Sequence, residues 1–322
     1  MNLVKANRES ILKAAAIIKA GGLVAFPTET VYGLGADALN PIAVAKIFEA
    51  KKRPNFNPLI IHIAKKEWLQ SFADFNDSRI EKLIEKFWPG PLTLVLPKKE
   101  IVPNIVTSGN PTVAIRMPNH EVALKLIEES DTPIAAPSAN KFGHLSPTTA
   151  KHVHKYLGDK VDMILDGGKS SVGVESTILQ FQDGDFFILR YGGITKEELE
   201  ECVGVIKSKS VDKNPVAPGQ LPFHYSPNTP LYFYDEKYLK KNKKIGVVYF
   251  QKRKTEFEFT IEKFLSLNGD LREAASNLFL FLHELEKENL DYILIEPVPE
   301  IGLGKAIMDR LRKATFKHMV NN

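Results

Sequence analysis

The chain has 322 residues, 43 Lys and Arg against 39 Asp and Glu for a formal net charge of +4, and a single cysteine, Cys202. These numbers exclude a strongly basic nucleic-acid coat, an internal disulfide framework and a cysteine-based zinc site. No apolar run reaches the roughly 18–20 residues that span a bilayer, and residues 1–8 lack an apolar signal core, so a cytoplasmic protein of two domains without membrane contact is expected.

Residues 9–20 bring Ile11, Leu12, Ala15, Ile17 and Ile18 to one face of a helix, which Gly21-Gly22 closes. Residues 23–26 read as a short buried strand ended by Pro27. Asn40-Pro41 is an N-cap followed by proline at the first helical position, opening a helix to about Ala50. Further strands are predicted at 59–63, 92–96, 112–117, 134–136, 163–165, 174–180 and 186–189, and helices at 78–87, 120–129, 148–156 and 195–201. Strands alternating with helices predict an α/β domain with a mixed sheet over residues 1–207. Over 208–229 the periodicity gives way to Pro215, Pro218, Gly219, Pro222 and Pro227, a semi-rigid linker. Strands at 231–234, 245–249 and 292–295, an amphipathic helix over 270–288 and a last helix near 305–313 predict a smaller Rossmann-like α/β domain over 230–322.

The familiar catalytic signatures fail. Gly168-Lys169-Ser170 lacks the upstream glycine of a P-loop, because Met163 stands there. Gly33-Leu34-Gly35 and Gly302-Leu303-Gly304 lack the third glycine of the dinucleotide motif. No Gly-x-Ser-x-Gly elbow surrounds Ser138, and no His-Glu-x-x-His string points to zinc. Chemistry is left to positioned cations and hydroxyls.

Five polar clusters interrupt the apolar strands of residues 1–207. Pro27-Thr28-Glu29-Thr30-Val31-Tyr32-Gly33-Leu34-Gly35 offers hydroxyls and glycine amides to a small polar ligand, or is a capped turn. Lys51 and Arg53, one residue apart in a segment turning extended, suit a polyphosphate, although a solvated basic run is the commoner origin of such a string. His62 follows inside an apolar strand, where a hydrogen-bonded core histidine is the plainer alternative. Arg116 ends a strand and needs an anion, either a ligand carboxylate gripped bidentately or an internal salt bridge. Residues 133–140 end a strand in small side chains and lead to Ser146 and Thr148, of which Thr148 is the better candidate for the cap of the next helix. Gly173-Val174-Glu175-Ser176-Thr177, with Arg190 on the next strand, adds a hydroxyl and a cation, or is an ordinary hairpin. Together the clusters predict one concave site rich in Lys, Arg, Ser and Thr, without an acidic pair for a metal. Such a site suits a substrate carrying both a triphosphate and a carboxylate.

These strings, in this order, resemble the threonylcarbamoyl-AMP synthase family, also called YrdC-like. The family's Lys-x-Arg and distant Ser-x-Asn stand here as Lys51, Arg53, Ser138 and Asn140. Pro-Thr-Glu-Thr-x-Tyr-Gly-Leu, the Trp-Pro-Gly-Pro-Leu-Thr of Trp88 to Thr93, Arg-x-Pro and Gly-x-Glu-Ser-Thr also match, so the resemblance covers residues 8–207. Ala217-Pro218-Gly219, His224-Tyr225-Ser226-Pro227 and the run from Lys305 to Leu311 resemble the linker and final helix of the family's long form.

The resemblance implies a YrdC-like twisted open sheet with a basic concave face. It implies an ATP-dependent nucleotidyltransferase that condenses L-threonine, bicarbonate or carbon dioxide, and ATP into threonylcarbamoyl-AMP, releasing pyrophosphate. A partner transferase complex then moves the threonylcarbamoyl group to adenosine 37 of tRNAs reading codons that start with A. Lys51 and Arg53 are implied as catalytic, and Thr30, His62, Arg116, Ala136 and Ser176 as the surroundings of threonine. Lys51, Arg53, Asn57, Thr112, Ser138, Asn140, Ser146, Arg190 and Tyr225 are implied around ATP, with Mg²⁺ entering on ATP rather than in a protein cage. Residues 215–227 are placed to be a lid over labile intermediates. Related linkers often carry basic residues between the Pro-Gly and His-Tyr pairs, where this chain has Leu221, Pro222 and Phe223, so closure by apolar contact is expected. The competing reading is an RNA-binding module using the basic face, with weak tRNA contact as its mildest form. Against it stand 25 bases and 24 acids through residue 207 and the lack of an aromatic platform among Lys51, Arg53 and Arg116.

Overall fold

The computed structural model describes residues 2–208, 215–221, 224–253 and 255–319; parts of the expected linker (209–214, Pro222 and Phe223) and of the second domain (Lys254 and 320–322) lie outside the described residues. Eleven strands form one mixed sheet: β1 (Leu3–Lys5), β2 (Val24–Phe26), β3 (Gly33–Asp37), β4 (Ile60–His62), β5 (Leu92–Pro97), β6 (Thr112–Arg116), β7 (Ile134–Ala135), β8 (Met163–Asp166), β9 (Thr177–Gln182), β10 (Asp185–Arg190) and β11 (Ile206–Ser208). Hydrogen-bonded neighbours run β1-β8-β2-β3-β7-β4-β6-β5-β9-β10-β11. Parallel pairs such as β4–β6 (Ile61 opposite Ile115) alternate with antiparallel ones such as β5–β6 (Leu94 opposite Ile115), the expected mixed sheet.

Local chemistry sets the helices. Helix Arg8–Lys19 starts on a reciprocal cap: the Asn7 side chain accepts from the Ser10 amide and the Ser10 hydroxyl accepts from the Asn7 amide. Helix Pro41–Lys51 starts at the predicted Asn40 cap, whose side chain accepts from the amides of Ile42 and Ala43. Ile47, Leu34, Ile61, Leu94 and Ile115 belong to the core on one side of the sheet; Ile11, Ile18, Phe26, Leu126 and Leu165 form a second core on the other. Beside that second core, Ile60, Val95, Ala114 and Ile178 meet Ala217 of the linker rather than a helix. This is the face left open for a ligand.

Several segments depart from the predicted pattern. The string from Gly33 to Asp37 is a strand, not a loop of free glycine amides. A Cβ on Gly35 would lie 2.7 Å from Ile134 Cγ2 and from Phe26 Cε1, so glycine is there to let β3 close onto its neighbours. β9 begins at Thr177, three residues later than predicted, leaving Val174, Glu175 and Ser176 at its entrance. Thr149, not Thr148, caps helix Ala150–Leu157 by accepting from the His152 amide; Thr148 is buried beside the His152 ring. The edge strands β1 and β11 carry too few residues to show a period.

A second, four-stranded sheet is wholly parallel, with β12 (Leu231–Phe233), β13 (Ile245–Tyr249), β14 (Ile261–Phe264) and β15 (Tyr292–Ile295) ordered β12-β15-β13-β14. Helices Leu271–Leu285 and Gly304–Met319 both pack on its Leu231, Val248, Ile293 and Ile295 face. Phe259, with Tyr232, Tyr234, Tyr238 and Tyr292, covers the Ile245, Val247 and Leu294 face. The helix-side core also takes in Leu145 and Val174 from loops of the large sheet and Tyr225 of the linker. No helix among the described residues is long and apolar enough to cross a membrane.

Candidate active site

The open face holds a cavity walled by strand ends and roofed by Pro218, Gly219, His224 and Tyr225 of the linker. Thr30, Arg53, His62, Arg116, Ala136, Ser138, Ser176, Arg190 and Tyr225, all expected at the site, line it together. Lys51, Asn57, Thr112, Asn140 and Ser146 are not on its wall.

Lys51 and Arg53 converge by a different route from the extended pair expected. Lys51 ends its helix, Lys52 takes a left-handed turn at φ +52° and points out, and Arg53 comes back inside. The fully buried Lys51 Nζ donates to the Ser138 carbonyl at 2.6 Å and to the Asn140 carbonyl. Burial, with Arg53 close by, pulls its ammonium well below the ordinary lysine value. Arg53 donates through Nε to the Asn57 carbonyl at 3.1 Å and through Nη2 to the Pro58 carbonyl at 2.9 Å. The Asn57 side-chain amide and the Thr112 hydroxyl, at the far end of β6 from Arg116, are buried with no hydrogen-bond partner among the described residues. Asn140 Nδ2 donates to the carbonyls of Lys141 and His144.

Arg116 donates through Nη1 to Thr30 Oγ1 at 2.9 Å and through Nε to the Gly90 carbonyl at 3.2 Å, while its Nη2 lies 2.6 Å from Glu29 Oε1. The internal salt bridge weighed for this arginine therefore exists, inside the cavity wall. His62 stands edge-on to Phe26, and its Nδ1 has no hydrogen-bond partner among the described residues. Burial and the charge of Arg116 push it down to about 3, so the ring is neutral at ordinary pH. Arg190 holds the entrance of β9, donating through Nε and Nη2 to the Ser176 carbonyl and through Nη2 to Ser176 Oγ at 3.0 Å. Its Nη1 reaches the Pro218 carbonyl in the linker at 3.3 Å. Arg53 and Arg190 make these bonds to carbonyls and a hydroxyl, which leaves their charges for an anion to meet.

Glu175, His224 and Arg310 belong to the site although the sequence reading assigned them no role. Glu175 lines the cavity; its Oε1 accepts from Ser146 Oγ at 2.5 Å and its Oε2 from Arg310 Nε at 2.7 Å. Burial alone would raise this carboxyl, but Arg310 and then Arg190 overcome it and bring it to about 2. Arg310 comes from the last helix, with no exposed surface, and lies over the Tyr225 ring at 5.2 Å. The signal was available: Arg310 shares the stripe of Ile307, Leu311 and Ala314, and a cation on an apolar helix face needs a buried anion. Tyr225 adopts φ +65° and burial raises its phenol to about 12; His224, pushed by burial to about 3, stands edge-on to Phe142. Among the described residues no group of three His, Cys, Asp or Glu is arranged to hold a metal ion.

The sequence matches the family model described as "Telomere recombination" over residues 16–192 and "Threonylcarbamoyl-AMP synthase, C-terminal domain" over residues 194–315. Threonylcarbamoyl-AMP synthases of Pyrococcus abyssi and Bacillus subtilis are 45% and 41% identical to it, over 94% and 96% of this chain and 93% of each relative. The crystal structure of P. abyssi Sua5 complexed with L-threonine is similar at a TM-score of 0.89 and 43% identity, covering 98% of this chain and 96% of that one.

Proposed function

This chain belongs to the threonylcarbamoyl-AMP synthase family, and from that membership we propose that it condenses L-threonine, bicarbonate or carbon dioxide, and ATP into threonylcarbamoyl-AMP and pyrophosphate. The observation that carries the reading is the convergence of Arg53, Arg116 and Arg190 on one roofed cavity. Carboxylation of the threonine amine gives a carbamate; its oxygen then bonds to the α-phosphorus of ATP while the bond from that phosphorus to the bridging oxygen breaks and pyrophosphate leaves. Two anions must meet, and cations in a site screened from water offset their repulsion.

In this reading Arg116, set by Glu29, takes the threonine carboxylate, with Thr30, His62, the Ala136 backbone and Ser176 around it. Neutral His62 lines the cavity. ATP lies against Arg53, Ser138, Arg190 and Tyr225, and Lys51 acts from behind through the carbonyls of Ser138 and Asn140. The unpartnered polar atoms of Asn57, Thr112 and Asn140 and the Glu175-bound hydroxyl of Ser146 support a polar ligand reaching beyond the lined cavity. Magnesium would travel on the phosphates, since Glu29 and Glu175 are already engaged by Arg116 and Arg310. The separation of two sheets supports residues 1–207 as the catalytic domain, 208–229 as linker and lid, and 230–322 as a second domain.

The product would serve a transferase complex that modifies adenosine 37 of tRNAs reading codons starting with A, a cytoplasmic task. A cavity walled by strand ends and roofed by Pro218, Gly219, His224 and Tyr225 suits a small ligand better than an RNA backbone. The test is turnover with mass-spectrometric detection of the adenylate. Pyrophosphate should appear only when threonine, bicarbonate and ATP are all present; threonine-independent ATP cleavage would refute the reading.

A further inference from the structure

Glu175 is a carboxylate in the wall of a cavity otherwise furnished to attract anions. It is 6% exposed and ionised, and an uncompensated negative charge there would repel a triphosphate. Its main compensation comes from the second unit, with Arg190 of β10 next. Arg310 Nε donates to Glu175 Oε2 at 2.7 Å, Nη2 to the Tyr191 carbonyl at 2.9 Å and Nη1 to Asp309 Oδ2 at 2.5 Å. With these nitrogens engaged, Arg310 is placed to act on a ligand through Glu175 rather than by touching it. An ion pair this deep is weakly justified by stability alone, because apolar residues of similar volume often pack as well.

We propose that Arg310 is a positioning residue for the nucleotide: by neutralising Glu175 it keeps the cavity wall receptive to a polyphosphate, so that the last helix sets ATP affinity. The proposal rests on the reading of this cavity as the nucleotide site. The groups facing Glu175 are Arg310 with Asp309 on the last helix, Arg190 on β10, Ser146 before helix Ala150–Leu157, and His224 and Tyr225 of the linker. Arg190 also lowers the Glu175 carboxyl through its charge, but its donors go to Ser176 and Pro218 and none to Glu175, so it offsets the carboxylate only in part. Without Arg310, burial raises the Glu175 carboxyl from its present value of about 2, and acid then neutralises it in place of the arginine.

The experiment is calorimetric titration of the full chain with α,β-methylene-ATP, and separately with L-threonine, between pH 8 and pH 5. Arg310→Met is expected to weaken the nucleotide about tenfold or more and threonine far less. Its nucleotide affinity, taken as a ratio to wild type at each pH so that titration of the terminal phosphate cancels, should recover as pH falls, because Glu175 of the wild-type chain remains ionised and paired. Adding Glu175→Gln to Arg310→Met should restore affinity to within about threefold of wild type and make that ratio independent of pH. Arg310→Met binding like wild type, or a folded double variant as weak as the single one, would overturn the proposal. Should Arg310→Met fail to fold, Glu175→Gln alone decides: nucleotide affinity at least equal to wild type supports it, and a tenfold loss overturns it. A wild-type chain that binds the analogue yet forms no adenylate refutes the reaction, and the variants still judge Arg310. A wild-type chain that does not bind the analogue overturns both.

Discussion

Glu29 Oε1 lies 2.6 Å from Arg116 Nη2 with both side chains buried, so the guanidinium proposed to receive a substrate carboxylate is already oriented by a protein carboxylate. Thr30 Oγ1 and the Gly90 carbonyl hold two further donors of the same arginine. Arg116→Ala is expected to weaken threonine binding by about thirtyfold or more, the loss of a desolvated charge contact, and ATP binding by much less. Paired titrations giving the reverse order would reassign Arg116 to the nucleotide. Glu29→Ala leaves the arginine buried and unpaired, which should cost about 3–5 kcal/mol in urea unfolding.

Four histidines make the fold sensitive to acid. Burial is the main cause that pushes His62, His152, His224 and His283 from 6.5 to about 3. His152 and His283 stack at 3.8 Å across the contact between helices Ala150–Leu157 and Leu271–Leu285, with His283 Nε2 3.0 Å from the Ser146 carbonyl. The unfolded chain protonates these rings near pH 6.5 and the folded chain only near 3, so stability is full above 6.5 and falls as pH drops between those values. Glu175, depressed from 4.5 to about 2, adds a loss of the same sign below pH 4.5. Urea unfolding should show a slope approaching four protons, at most on the order of 5 kcal/mol per pH unit, and His283→Gln should reduce it by about one proton. An unfolding midpoint unchanged from pH 7 to pH 5 would contradict this.

The convergence of Thr30, His62, Arg116, Ser138, Ser176 and Arg190 is legible in the sequence because each ends, follows or precedes an apolar run, and strand ends gather along one edge of an α/β sheet. The pairings are not legible. Glu29 with Arg116, and Glu175 with Arg310, join segments far apart in the chain, and no local pattern says which buried anion meets which buried cation. Lys51 and Arg53 show a subtler failure: their spacing suggests one extended face, but the left-handed turn at Lys52 sends one behind the wall and the other onto it. Gly33-Leu34-Gly35 reads as a loop only because local propensity cannot register that Phe26 and Ile134 press against Gly35.

Gly219 couples the linker to the cavity. It adopts φ +89°, and a Cβ there would lie 2.7 Å from Arg190 Cδ and 3.3 Å from the Tyr225 hydroxyl; its carbonyl accepts from Lys313 Nζ at 2.7 Å. Gly219→Ala therefore strains the backbone by about 1–2 kcal/mol and displaces either the linker or Arg190. The expected result is a raised KM for ATP with little change in threonine affinity, and an unfolding free energy lowered by about the same 1–2 kcal/mol. Steady-state kinetics with each substrate varied in turn checks it; equal loss for both substrates would mean that the whole roof has moved.

Lys51 is fully buried, is absent from the cavity wall, and spends its ammonium on the carbonyls of Ser138 and Asn140. Those carbonyls hold the loop that presents Ser138 to the cavity and bridges it to Gly33 on β3. Lys51→Met preserves side-chain length and removes the donors, leaving the Asn140 carbonyl short of its partner at about 1–3 kcal/mol, while the Ser138 carbonyl keeps the Asn140 amide at 3.0 Å. Urea unfolding should therefore show a loss of about 1–3 kcal/mol, accompanied by a drop in kcat/KM as Ser138 loses its position. Direct contact with a phosphate predicts a different pair of results, since it would lower nucleotide affinity and leave the unfolding free energy of the ligand-free chain nearly unchanged. Measuring both quantities on one variant thus separates a lysine that holds the wall from one that touches ATP.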